Sequence, residues 1–109
     1  MEALRDNGGK AELSQLLLFK RALIELARHT TQGRLKYPDA ADGTPNWALG
    51  GKPDGEYLDA ALRHITEVVC GNEIDPESGT EHLSAAIWNL LALQTLNRPS
   101  NTDTKGSAQ

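Results

Sequence analysis

Between Arg63 and Asn89 the chain sets Arg63, His64, Glu67, Asp75, Glu77, Ser78, His82 and Asn89 within 27 residues. This set combines a guanidinium able to grip an oxyanion through paired hydrogen bonds, carboxylates able to hold a cation or take a proton, and two imidazoles. Just upstream, Glu56 and Asp59 are three residues apart. On a helix that spacing puts both carboxylates within one turn, close enough for two oxygens to hold one Mg2+. Ser78, His82, Ala85 and Asn89 follow at offsets of four, three and four, which is one helical face. If that face is buried, His82 and Asn89 need partners: another helix, a ligand or a metal. The spacing does not by itself name a reaction.

Helices must position these groups. The first is expected from Leu13 to about Thr31, capped by Ser14 and stopped by Gly33, with Leu16, Phe19, Leu23, Leu26 and Ala27 repeating every three or four residues. On it Glu25 and His29 are neighbours, either a solvated pair or two ligands of one metal. The second is expected from a cap at Asp54 to Val69, with Gly71 as its stop. Its apolar face is Leu58, Ala61, Leu62, Ile65, Val68 and Val69; Glu56, Asp59, Arg63 and Glu67 lie opposite, and Tyr57 and His64 fall at the border. Asp75-Pro76 reads as the cap and first residue of a third helix ending near Leu96. Arg63 or His64 paired with Asp75 would lock the second and third helices together. From Leu83 onward the third helix is apolar on almost every side, which places it centrally or against another subunit.

Between the first two helices, residues 34–53 carry Pro38, Pro45 and three glycines, so a long irregular segment is expected. It holds Tyr37 and Trp47 beside Lys36 and Asn46, a combination that can stack an aromatic ligand and bond its edge. The same rings would equally pin the loop to the core. Gly8-Gly9-Lys10 offers backbone N–H groups and one cation to a phosphate, without the strand–loop–helix setting of a phosphate loop.

At 109 residues the chain is one domain, all-α in pattern, with residues 1–97 forming the helical unit and 98–109 a polar tail expected to be disordered. A domain this small buries only about 60–68% of its unfolded surface. Two strongly apolar stretches therefore point to a homo-oligomer, most simply a dimer. The net charge of −4 argues against general nucleic-acid binding, which needs a basic face. Cys70 is the single cysteine, so no internal disulfide forms, as suits a reducing cytoplasm. No apolar run is long enough to span a membrane, and the N-terminus lacks a signal-peptide pattern.

The order G-K, then K-Y…N-W, then Y-x-D-A-A-L-R-H, then D-P-E-S-G-x-x-H-L-x-x-A-x-x-N resembles the N-terminal-type domain of phage dATP/dGTP diphosphohydrolases. The likeness runs from about Asp6 to Leu93 and is most specific in the D-P-E-S-G-x-x-H element. It implies binding of a small purine nucleotide in the host cytoplasm. It also implies cleavage of a deoxynucleoside triphosphate to monophosphate and pyrophosphate, with kinship to all-α MazG-type pyrophosphohydrolases that hold Mg2+ on helix-borne carboxylates. On that footing Asp59, Glu67, Asp75, Glu77 and His82 are the catalytic candidates, and Glu56 with Asp59 the metal candidates. Lys10, Lys36 and Arg63 would contact phosphates, and Tyr37 and Trp47 the base. Asn46, Tyr57, His64, Ser78 and Asn89 complete the ligand-binding set. One departure is Ala85, where relatives commonly show a second histidine as H-L-A-H. Its loss bears on chemistry more than on binding, and Ala85→His should raise turnover if the helix can hold it. The alternative is a non-catalytic protein that sequesters a nucleotide or a nucleotide-derived defence signal.

Overall fold

The computed structural model describes residues 9–96, leaving the expected polar tail and the first part of the N-terminal arm outside the described residues. Among these residues the chain forms helix α1 (Lys20–Lys36), helix α2 (Asp54–Val69) and helix α3 (His82–Leu96). The all-α expectation holds, the only β feature among them being an isolated antiparallel bridge between Ile74 and Glu81. None of these helices is long and apolar enough to cross a membrane.

The first helix departs from expectation at both ends. Leu13–Phe19 forms a 3-10 helix rather than α-helix, and Ser14 lies inside it instead of capping it. Leu13, Leu16, Leu17, Leu18 and Phe19 are all exposed there. Helical stability in proteins comes mainly from packing an apolar face, and among the described residues this segment buries none of its side chains. At the other end α1 runs through Gly33 to Lys36, and the Tyr37 N–H closes it on the Gly33 carbonyl at 2.8 Å. Arg34 and Lys36 in its last turn favour the extension by opposing the helix dipole.

Helix α2 spans the expected residues, but Asp54 is its first helical residue rather than its cap: Pro53 holds the cap position, no side chain caps the helix, and Asp54 and Glu56 stand at its positive end. Gly71, at φ 91°, terminates it. The Gly71 N–H bonds the Val68 carbonyl at 3.0 Å and the Asn72 N–H bonds the Glu67 carbonyl at 2.9 Å, which satisfies two end carbonyls. Cys70, just beyond, is exposed. The buried face is not the one the leucines mark. Tyr57, Ala60 and Ala61 are buried and His64 half-buried, while Leu58, Leu62, Ile65 and Val69 face outward. Helices α2 and α3 make the most extensive contact in the domain, and α3 also packs on α1. The buried apolar residues of α3 are Ala85, Ala86 and Ala92. Small residues let two helices come close, and that close approach, rather than side-chain size, decides which face turns in.

Asp75-Pro76 does not begin α3, which starts seven residues after Asp75. Residues 72–81 instead fold back on themselves. The Asp75 N–H bonds the Thr80 carbonyl at 2.8 Å, the Gly79 N–H bonds the Asp75 carbonyl at 2.7 Å, and the His82 N–H bonds the Glu73 carbonyl at 2.9 Å. The Asp75 side chain accepts the Glu77 N–H at 2.9 Å. An aspartate that bonds its own turn competes with helix formation, and Gly79 supplies the positive φ of 74° that closes the turn.

Candidate functional site

A cavity of about 360 Å3 opens where α1, the 37–52 loop, α2 and α3 meet. Helix α1 contributes His29, Gly33 and Arg34; the loop contributes Tyr37, Asn46, Trp47 and Lys52; α2 contributes Tyr57 and α3 Trp88. The loop is held against α1 by Arg34, whose Nε and Nη2 donate to both carboxylate oxygens of Asp39 at 3.3 and 2.7 Å. A short 3-10 helix, Asn46–Leu49, then delivers Trp47 to the cavity. The Trp47 and Trp88 rings meet edge-on with centroids 6.0 Å apart, and His29 meets Trp88 at 6.2 Å. Lys52 Nζ stands 4.6 Å from the centre of the Tyr57 ring, a cation–π contact. No Asp or Glu lines this cavity among the described residues, whereas Arg34 and Lys52 both do. Aromatic faces with cations and no carboxylate suit a flat ring carrying negative charge.

A second cluster lies at the α2–α3 junction. His64 Nδ1 and His82 Nδ1 are 2.9 Å apart, with ring centroids at 5.1 Å. An Asp75 carboxylate oxygen joins them, so that the donor atoms of all three residues lie within 4.8 Å of one another. Burial, and then the neighbouring His82, holds the His64 imidazole below its ordinary pKa. His29 is also depressed, first by burial and then by His64, with Asp75 acting the other way. The cavity and this cluster are joined through the turn: His29 Nδ1 lies 2.9 Å from Thr80 Oγ1, which lies 2.7 Å from Ser78 Oγ. Asn89, buried, donates from Nδ2 to the Ala85 carbonyl of its own helix at 2.8 Å.

Of the residues singled out in the sequence, Tyr37, Asn46, Trp47 and Tyr57 therefore meet at the cavity, and His64, Asp75 and His82 meet at the junction. The rest stand elsewhere. Lys36 and Glu77 pair with each other at 2.9 Å on the surface, and that partner raises the Lys36 pKa. Asp59, Arg63 and Glu67 share a shallow depression on the outer side of α2, where Glu67 accepts a hydrogen bond from Asn72 at 2.8 Å. Glu56 and Lys10 are exposed. Glu25 pairs with Arg28 at 3.4 Å rather than with His29. Arg34, Lys52 and Trp88 were the cavity residues that sequence reasoning passed over, and His29 was read only as a partner of Glu25. Once α1 is carried past Gly33, the spacing of His29, Gly33 and Tyr37 puts all three on one face; Lys52 and Trp88 gave no comparable signal.

The family described as dATP/dGTP diphosphohydrolase, N-terminal, matches residues 2–105. A Salmonella phage PMBT28 protein named dATP/dGTP diphosphohydrolase is 34% identical over 110 residues, covering 99% of this chain and 35% of that protein. The chain thus spans about a third of the length of this relative. No solved structure matches it.

Proposed function

The chain belongs to the dATP/dGTP diphosphohydrolase N-terminal domain family, and from that premise we propose that it is a nucleotide-recognition domain that seats a purine deoxynucleoside triphosphate in the cavity beneath Trp47. The observation that carries this reading is the lining itself: Trp47, Trp88, Tyr37 and Tyr57 offer ring faces and edges, Arg34 and Lys52 offer charge, and no carboxylate lines the cavity among the described residues. The purine would lie against the indoles, Asn46 would bond its edge, and the two cations would take phosphate oxygens. Arg34 is suited to a bidentate grip, which it now spends on Asp39.

In the diphosphohydrolase reaction water attacks the α-phosphorus and the bond to the β-phosphate bridging oxygen breaks, giving monophosphate and pyrophosphate. Mg2+, if used, would take oxygen ligands and several waters. Glu56 and Asp59 are exposed on α2, and neither lines the cavity. That no carboxylate lines the cavity among the described residues supports binding over chemistry within this domain, and it favours the second reading too, in which a nucleotide or nucleotide-derived signal is held rather than cleaved. Either role would be played where nucleotide pools are, in the cytoplasm of an infected host.

Trp47 and Trp88 are the only tryptophans, so intrinsic fluorescence reports directly on the cavity. Titration with dATP and dGTP should change it saturably, and dCTP and dTTP should bind more weakly. Removing one stacking ring costs ~1–3 kcal/mol, so Trp47→Ala should weaken purine binding by roughly 5–150-fold. A folded Trp47→Ala protein that binds dATP at full strength would exclude the cavity. Chromatography of the incubated mixtures reads the chemistry: intact triphosphate is expected for this chain alone, and a cyclic nucleotide retained in preference to dATP would favour the sequestering role.

We also propose that the domain self-associates. Leu58, Leu62, Ile65 and Val69 form an outward stripe on α2 at offsets of four, three and four, and Leu83, Leu90 and Leu91 are exposed on α3. That spacing is the one with which helices pair. Light scattering at micromolar concentration should give a multiple of the 11.8 kDa chain mass, and Leu62→Glu should reduce it. A wild-type monomer would rule the stripe out as an interface.

A further inference from the structure

We propose that His64, Asp75 and His82 bind one divalent first-row transition ion, Zn2+ in the first instance. The site stands on different residues from the nucleotide cavity, so each can fail without the other. Its three ligands come from three places that the fold brings together: His64 from α2, Asp75 from the 72–81 turn, and His82 from the first position of α3.

The geometry is close to that of a filled site. Two donors held ~2.0–2.1 Å from one ion are about 2.9 Å apart at right angles and about 3.4 Å apart at tetrahedral angles. The two Nδ1 atoms stand 2.9 Å apart, within that range. Ligands directly opposite each other across one ion would be about 4.2 Å apart. All three donor atoms already lie within 4.8 Å of one another, little beyond that span. Only one oxygen of the Asp75 carboxylate is taken by the Glu77 N–H, so the other is available. His82 is only 6% exposed, and two facing imidazole nitrogens in such a place must share one proton or one ion. Each imidazole can offer a ring-nitrogen lone pair in its neutral form, the form that binds metal.

The donor set selects the ion. Two imidazoles and one carboxylate suit Zn2+, Mn2+, Fe2+, Co2+ and Ni2+, whereas Mg2+ takes oxygen ligands almost exclusively. Three protein ligands leave at least one position open to water or an anion. An ion here would also fasten the turn to α2 and α3. Thr80 in that turn holds His29 at the cavity wall through a 2.9 Å hydrogen bond, so loading the site would stiffen one side of the nucleotide cavity.

The test uses the full chain, untagged and grown in medium supplemented with zinc. Elemental analysis after gel filtration should find about one equivalent of metal per chain. Stripped protein titrated with Co2+ should develop visible d–d absorption, and Zn2+ should raise its thermal midpoint, since an ion that binds only the folded state stabilises it. Asp75→Asn, which keeps the side-chain shape, and His64→Gln should each lose the Co2+ spectrum. Their affinity should fall beyond the ~10–100-fold typical of losing a mere supporting residue. Folded wild-type protein without stoichiometric metal, without a Co2+ band and without a midpoint shift would overturn the proposal. So would variants that keep wild-type spectra, because the ion would then sit elsewhere.

Discussion

Tyr57→Ala should leave the domain largely unfolded at physiological temperature. The ring is 2% exposed, and every other apolar residue as buried as the core requires is an alanine: Ala60, Ala61, Ala85, Ala86 and Ala92. Tyr57 is therefore the one large side chain fully committed to the core among the described residues. Truncating a buried aromatic costs ~3–5 kcal/mol, through lost transfer free energy and the cavity left behind. Total stability of a domain is only ~5–15 kcal/mol, and a small one lies at the low end. The loss also removes the ring over which Lys52 sits at 4.6 Å and opens the floor of the cavity. Tyr57→Phe keeps the ring and should melt close to the wild type. Circular dichroism melts of the two variants make the comparison. If Tyr57→Ala melts beside the wild type, the stability resides in subunit contacts made by the outward leucines, not in the α2–α3 core.

The reversed face of α2 is where sequence and structure diverge most, and Tyr57 shows why. Periodicity marks Leu58, Ala61, Leu62, Ile65, Val68 and Val69 as the apolar stripe, of which only Ala61 is buried, and periodicity reports only that a face avoids water. It does not say whether the face meets the chain's own core or another chain. Here alanines let α2 approach α3 closely, so Tyr57 and His64, read as border residues, turn inward. Local signals fared according to their chemistry. Gly71 ends α2 as its position suggested, because a left-handed stop is a strictly local requirement. Asp75-Pro76 misled, since an aspartate that caps a helix and one that bonds its own turn have the same neighbours in sequence. Gly33 misled the other way, because α1 continues through it to Lys36, with Arg34 and Lys36 opposing the helix dipole in the last turn. Tyr37, Asn46 and Trp47 were legible as a group because they sit on one loop. Arg34, Lys52 and Trp88 join them only through the fold, and so do His64 and His82, which are 18 residues apart.

Ala85→His tests how much room the junction has, and it should cost stability. The substitution looks attractive from sequence, because position 85 lies one turn after His82 and a second imidazole there resembles a missing acid or base. A general acid or base typically contributes ~10²–10⁴-fold to a rate. Ala85 is, however, 0% exposed, the most buried residue described. Its N–H bonds the Glu81 carbonyl at 3.1 Å, and its carbonyl takes the Asn89 side chain at 2.8 Å. An imidazole forced into a packed helix contact costs ~1–3 kcal/mol for overpacking. A buried ring nitrogen left without a partner adds ~1–3 kcal/mol. Together these approach the whole stability of a small domain, so the thermal midpoint should drop sharply before any rate can rise. Melting with and without Zn2+ separates two outcomes. A low midpoint in metal-free protein that Zn2+ raises by more than it raises the wild type means that the new ring has escaped the helix contact by turning toward His64 and His82. A metal-free midpoint equal to the wild type would show that α2 and α3 can part at this point, and that the alanine contact does not fix their spacing.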